Sequence, residues 1–286
     1  MDIAKFKIEN GSDFKLSDIK TDSTGKINSK DEAESLLTEN IFKMAGLQDK
    51  LYAQDKYGVL IIFQAMDTAG KDGAVKHVMG GLNPQATTVH SFKQPSSEEL
   101  DHDYLWRASK NLPERGQIGI FNRSYYEEVL VVKVHDLLKS QQIPSEFITK
   151  DTWKDRYRQI RDYEKYLYEN GVIIIKFFLH ISKEEQKKRL LGRIDDETKN
   201  WKFSAADIKE RQYWKDYQEA YQEAIRETST KYAPWYVVPS DKKWFARLVI
   251  SEVIDQTLKN LNLEYPEVTK EQKALLKEYK EKLEKE

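Results

Sequence analysis

Residues Gly58 to Gly73 read GVLIIFQAMDTAGKDG, and this stretch decides the fold class of the chain. Val59-Leu60-Ile61-Ile62-Phe63 is a short, β-branched apolar run bounded by Gly58, the pattern of a buried central strand. Ala65 to Asp72 breaks that pattern, and Ala74, Val75, Val78 and Met79 then recur at helical spacing. A strand, a glycine-containing turn and a helix, with lysine at the turn, together form a phosphate cradle. Backbone N–H groups point out of the helix start, the helix dipole favours anions, and the lysine reaches the outer phosphate oxygens.

The match to G-x-x-x-x-G-K-[ST] is imperfect, because Ala65 replaces the first glycine and Asp72 the metal-binding hydroxyl. Asp67 and Asp72 set two carboxylates beside a phosphate site, a placement that repulsion forbids unless a divalent cation intervenes. From the loop alone, an ordinary strand-turn-helix with a surface lysine and solvated acids stays open as the alternative.

The chain of 286 residues has room for one large α/β domain or two small ones. Its net charge of −1 argues against a surface coated for non-specific nucleic-acid binding, although a local basic groove is compatible with it. Cysteine is absent, which rules out disulfides, thiol catalysis and Cys-ligated zinc. MDIAKFKIEN has no apolar core of signal-peptide length, and the apolar stretch Val172 to Ile181 is interrupted by Lys176 and His180. These features lead to the expectation of a soluble, cytoplasmic protein with no membrane or nucleic-acid partner.

Residues 1–29 read as an irregular arm and 31–54 as an amphipathic helix. Thr87 to Phe92 is a second strand candidate, and a capping box at Ser96 and Glu99 opens a helix to about Lys110. Gly116 to Phe121 is a third strand, leading into Asn122-Arg123-Ser124 and a helix from Tyr125 to His135. A helix from Pro144 to Asn170 precedes the fourth strand, Val172 to Leu179. Ser182 caps another helix, Ser204 a long one to about Thr228, and Trp235 to Pro239 is a fifth strand. Two helices finish the chain; the last, about 265–286, is charged on most faces and either packs weakly or meets a partner.

Strands alternating with helices imply a parallel sheet covered on both faces, with ligands at the carboxyl ends of the strands. That rule gathers Asp67 to Asp72, Phe92-Lys93 and Asn122-Arg123 at one edge. No repeat or linker divides the chain, so a single domain over 1–286 is expected.

AMDTAGKDG, FKQPSSEELDHDYLWR (Phe92 to Arg107), FNRSYYEEVLVVKVH (Phe121 to His135) and RLLGRIDDETKNWKFSAADIKERQYWKDY together resemble the polyphosphate kinase type 2 family. The resemblance runs from about Leu36 to Tyr236. It implies a P-loop kinase-like three-layer sandwich related to thymidylate kinase, with a five-stranded parallel sheet, helices on both faces and a helical lid over about 182–215. It further implies movement of phosphoryl groups between inorganic polyphosphate and purine nucleotides with Mg²⁺, or Mn²⁺ as the alternative ion, by a homodimer or homotetramer. FNRSYYEEVL, in place of an aspartate-initiated DRSWY motif, resembles the subgroup acting on both nucleoside mono- and diphosphates.

Phosphoryl transfer needs positioning and charge neutralisation more than covalent chemistry. Asp67, Lys71 and Arg123 are the candidate catalytic residues. Ala69, Gly70, Asp72 and Gly73 form the phosphate loop, with Lys76, Lys93, Arg107 and Lys133 as candidates for holding a polyanionic chain. Lys133 stands where relatives often have arginine. Metal ligation falls to Asp67, with Asn122 a weaker ligand because its amide is neutral. The resemblance places Asn122 and Glu127 near the acceptor. Arg189 and Arg193, four apart on one helical face, with Lys199 and Lys202 beyond, have the layout of a lid closing over phosphates.

A solvated basic face is the plainer reading of the Arg189 and Arg193 helix. Tyr125, Tyr126 and the five histidines are read as structural. Two rival functions are an ATP-dependent nucleoside monophosphate kinase of thymidylate type, which Asp72 speaks against, and a non-catalytic polyphosphate-binding protein, which the intact Lys71, Asp67 and Arg123 speak against.

Overall fold

A computed structural model describes all of residues 1–286. Its six-stranded sheet has the order β1-β6-β5-β2-β4-β3. The strands are β1 Lys7–Ile8, β2 Gly58–Ala65, β3 Thr87–Ser91, β4 Ile118–Asn122, β5 Val172–His180 and β6 Trp235–Pro239. Every residue of β2 is buried, as a central strand flanked by β5 and β4 requires. All pairings are parallel except the antiparallel one between β1 and β6.

The sheet therefore has one strand more than the five expected, and the extra one comes from the arm. Residues 1–29 lack sequence periodicity because their anchors are scattered. Phe6, Phe14 and Leu16 are buried, while only two residues pair with the sheet.

The longer helices are α1 Lys30–Gln54, α2 Lys71–Val78, α6 Thr152–Glu169, α7 Lys183–Ile194, α9 Trp214–Thr228, α10 Lys243–Asn260 and α11 Lys270–Leu283. Short turns of helix form α3 Ser97–Leu100, α4 Trp106–Ser109, α5 Val131–Val134 and α8 Ala205–Glu210. α1, α2 and α10 pack together, with α10 against β5 and β6; α6 packs against β5 and, like α5, against α9. Ser29 caps α1 by accepting from the Glu32 amide, and Asp55 closes it in the left-handed region.

Four helices expected to be continuous are broken or shortened. The 96–110 stretch holds α3 and α4 with a turn between them, and 125–135 is a 3₁₀ turn, Tyr125–Val129, followed by α5. The 144–151 stretch holds only a 3₁₀ turn, Ser145–Phe147, ahead of α6, and 204–228 is divided into α8 and α9 by the 3₁₀ turn Arg211–Tyr213. α11 has a capping box at Thr269 and buries none of its residues. No helix is long and apolar enough to cross a membrane.

Lys176, in the middle of the apolar β5, is fully buried. Its Nζ donates to Glu164 on α6 at 2.6 Å, to the Tyr126 hydroxyl at 2.9 Å and to the Thr228 carbonyl at 2.9 Å. Tyr125 and Tyr126 also donate to Glu164, so the pair is fully hydrogen-bonded, the condition under which a buried ion pair is tolerated. This network pins the turn carrying Arg123 onto the sheet from below. The reading of both tyrosines as structural therefore agrees with the packing.

Candidate active site

Between β2 and α2 the chain turns through Thr68 at φ +63° and Gly70 at φ +113°. The latter angle is one that only glycine adopts without strain. The turn aims the first amides of α2 out of the carboxyl edge of the sheet, and the Lys71 Nζ folds back to the Ala65 carbonyl at 3.0 Å. Burial pushes the Lys71 pKa down; Asp67 opposes that and Arg123 adds to it.

β4 delivers the second set of groups. Asn122 lies level with Phe63 of β2, and the Arg123 amide donates to the Phe63 carbonyl at 3.0 Å. Arg123 then takes φ +63°, a rare conformation for a side chain of this size, and its Nη2 lies 3.5 Å from Oδ1 of Asp67. Burial disfavours its charge, but Glu127 and Asp67 outweigh it and raise its pKa. Asn122 Nδ2 donates to Oδ1 of Asp72 at 2.7 Å. Glu127 lies behind Arg123, where burial raises its pKa against the pull of Arg123 and Lys71.

All of these groups except Glu127 line a cleft of about 630 Å³. Asp67 to Ala74, Lys93, Asn122 and Arg123 form its floor and one wall; Arg189, Arg193, Lys199 and Lys202 reach it from the other side. From the same segment, Asp207 of α8 has its pKa raised by burial and by Asp67.

Several expected site residues have other tasks. Arg189 is a brace: it donates to the carbonyls of Thr68 (3.1 Å), Ala69 (2.9 Å), Ser240 (2.6 Å) and Asp241 (2.9 Å), and to Glu185. Its guanidinium thus ties the loop to the turn after β6, and its side chain is only 7% exposed. Arg193 holds the lid to itself through Asp207 and the Lys202 carbonyl, and Lys199 pairs with Asp196.

Arg107 is buried beneath the loop after β3, donating to the Lys93 carbonyl at 2.8 Å and stacked over Phe92, so it shapes the cleft without lining it. Lys133 pairs with Glu223 of α9 and also stands outside the cleft. Lys76 is exposed on α2, beyond the cleft rim.

Gln186, unremarked in the sequence, is buried and donates to the Asp67 carbonyl at 3.0 Å. Its position one turn before Arg189 on the same helical face was the available signal. Lys243 and Arg247 of α10 also line the cleft.

Asp67 and Asp72 supply hard oxygen donors, and no group of three acidic or histidine side chains could by itself cage an ion. That donor set fits Mg²⁺, which is commonly held by one or two carboxylates and completed by substrate phosphates. Loop amides, lysine and arginine converging on a carboxylate pair define a phosphoryl-transfer enzyme of the P-loop kinase class.

Residues 27–266 match the family described as Polyphosphate kinase 2. The chain belongs to that family. It is 52% identical over 257 residues to the ADP-polyphosphate phosphotransferase of Rhodopseudomonas palustris, covering 89% of each protein. It is 43% identical over 265 residues to the AMP/ADP-polyphosphate phosphotransferase of Meiothermus ruber, covering 92% of this chain and 95% of that one. The crystal structure of polyphosphate kinase 2 from Arthrobacter aurescens superposes with a TM-score of 0.87 at 40% identity, covering 96% of this chain and 95% of that one.

Proposed function

We propose that this protein transfers the terminal phosphoryl group of inorganic polyphosphate to AMP and ADP. The observation that carries the reading is the single cleft in which the loop amides, Lys71, Arg123 and the lid cations face Asp67 and Asp72. The printed activities of the two relatives, ADP for one and AMP/ADP for the other, support the acceptor class.

In this reading Lys71 and the loop amides hold the transferring phosphoryl group, and Arg123 bridges donor and acceptor oxygens as charge redistributes. Asp67, with Asp72, would hold Mg²⁺, which when bound neutralises phosphoryl oxygens. Arg189 and Gln186 act through the loop, keeping its carbonyls from drifting toward the anionic substrate. The phosphorus–oxygen bond to the polyphosphate chain breaks as one to the nucleotide's terminal phosphate forms. That acceptor oxygen is already ionised, so no general base is required. Segment 182–215 excludes water by closing over the cleft.

The test is ATP and ADP formation from long-chain polyphosphate with Mg²⁺, with AMP and ADP supplied separately. Product from both acceptors is expected. Product from ADP alone discards the monophosphate arm, and transfer from ATP but not from polyphosphate returns the site to a thymidylate-type kinase.

A further inference from the structure

On the cleft wall formed by α10, Lys243 and Arg247 stand one turn apart. Neither has a hydrogen-bond or ion-pair partner in the protein, unlike Arg189 and Arg193 beside them. The Arg247 Nη2 lies 3.8 Å from where a Cβ on Gly73 would stand, so the guanidinium hangs over the first turn of α2. Lys243 crowds against other cations: burial lowers its pKa, and Arg189, Arg247 and Lys199 lower it further against Glu185. Beyond Arg247 the same charge sign continues along α2, where His77 feels both Arg247 and Lys76. Glu34 is the acid nearby, acting on both Arg247 and His77.

Unpaired cations held together at this spacing repel one another, and a linear polyanion reverses that repulsion. We propose that Lys243 and Arg247 carry the part of the polyphosphate chain beyond the reacting phosphoryl groups, leading it out between α2 and α10 past His77 and Lys76. This assignment rests on the polyphosphate reading of the cleft. It makes the pair a determinant of donor length. A short condensed phosphate ends within the loop and lid, whereas a long chain also spans α10. Lys76 then serves the exit, outside the reacting cleft.

The experiment compares tripolyphosphate with long-chain polyphosphate as donor, at saturating ADP and Mg²⁺. The proteins are the wild type, a Lys243→Gln/Arg247→Gln double variant and a charge-preserving Lys243→Arg/Arg247→Lys double variant. In the glutamine variant the KM for the long chain rises about tenfold, several times more than for tripolyphosphate, because two charge-assisted phosphate contacts are lost. The charge-preserving variant restores most of that ratio. Equal KM shifts for both donors, no shift, or no restoration overturns the α10 path while leaving the activity in place. A wild type that uses neither donor overturns the polyphosphate reading and the path with it.

Discussion

Asn122 Nδ2 donates to Oδ1 of Asp72 at 2.7 Å, linking the end of β4 to the first turn of α2. A neutral amide here holds one carboxylate in place without adding a second charge. Asn122→Asp sets two carboxylates within hydrogen-bond reach of each other. Without divalent cations the variant is expected to lose about 0.5–1 kcal/mol, since the pair is exposed. With Mg²⁺ it is expected to gain more in Tm than the wild type does. Melting curves in EDTA and in Mg²⁺ check this; equal Mg²⁺ shifts for the two proteins would count against metal binding at this pair.

Lys71→Ala and Asp67→Asn should each lower turnover by about 10²–10³-fold while leaving the fold intact. Lys71 is only part-buried and has one hydrogen bond within the protein, to the Ala65 carbonyl, so its removal leaves the core packing in place. Circular dichroism and the coupled ATP assay on the same preparations separate loss of chemistry from loss of fold. Near wild-type rates from either variant sink the site assignment.

Arg189→Lys keeps the charge but loses the planar fork that serves four backbone carbonyls. Stability is expected to fall by about 2–4 kcal/mol, together with turnover. The loss should persist at high salt, because buried contacts are poorly screened. Urea unfolding at low and high salt is the measurement. Unchanged stability with a raised KM for polyphosphate would restore the mobile-lid role.

His180, at the end of β5, has its pKa pushed down from 6.5 to about 4 by burial, against the pull of Asp241. The unfolded chain therefore binds this proton at a higher pH than the folded one does. The histidine's contribution to stability is complete above about pH 6.5 and is lost as the pH falls toward 4. Between pH 7 and 4.5 the wild type should lose about 2–3 kcal/mol more than His180→Gln. Parallel stability–pH curves for the two proteins would show that His180 takes up its proton without opening the fold.

Much of the site was legible from local pattern. The strand-turn-helix around Lys71 and the strand end at Asn122-Arg123 follow from hydrophobic periodicity and the rule for parallel sheets. What the sequence left out shares one cause. Arg107, Lys133 and Arg189 are cations in suggestive positions, but each one's partner lies far along the chain or is a backbone carbonyl. Lys133 meets Glu223, and Arg189 meets carbonyls more than fifty residues away. The unpaired Lys243 and Arg247 went unnoticed for the converse reason, since the lack of a partner has no sequence signature.

By itself the sequence determined the sheet's central strand, the phosphate loop and the family, because these depend on residue order over a dozen positions or on motifs in fixed succession. Only the tertiary structure decided which positive charges are free to meet an anion and which brace the protein. A charge is neutralised by whatever group lies within a few ångströms, and that neighbourhood exists only once the chain has folded.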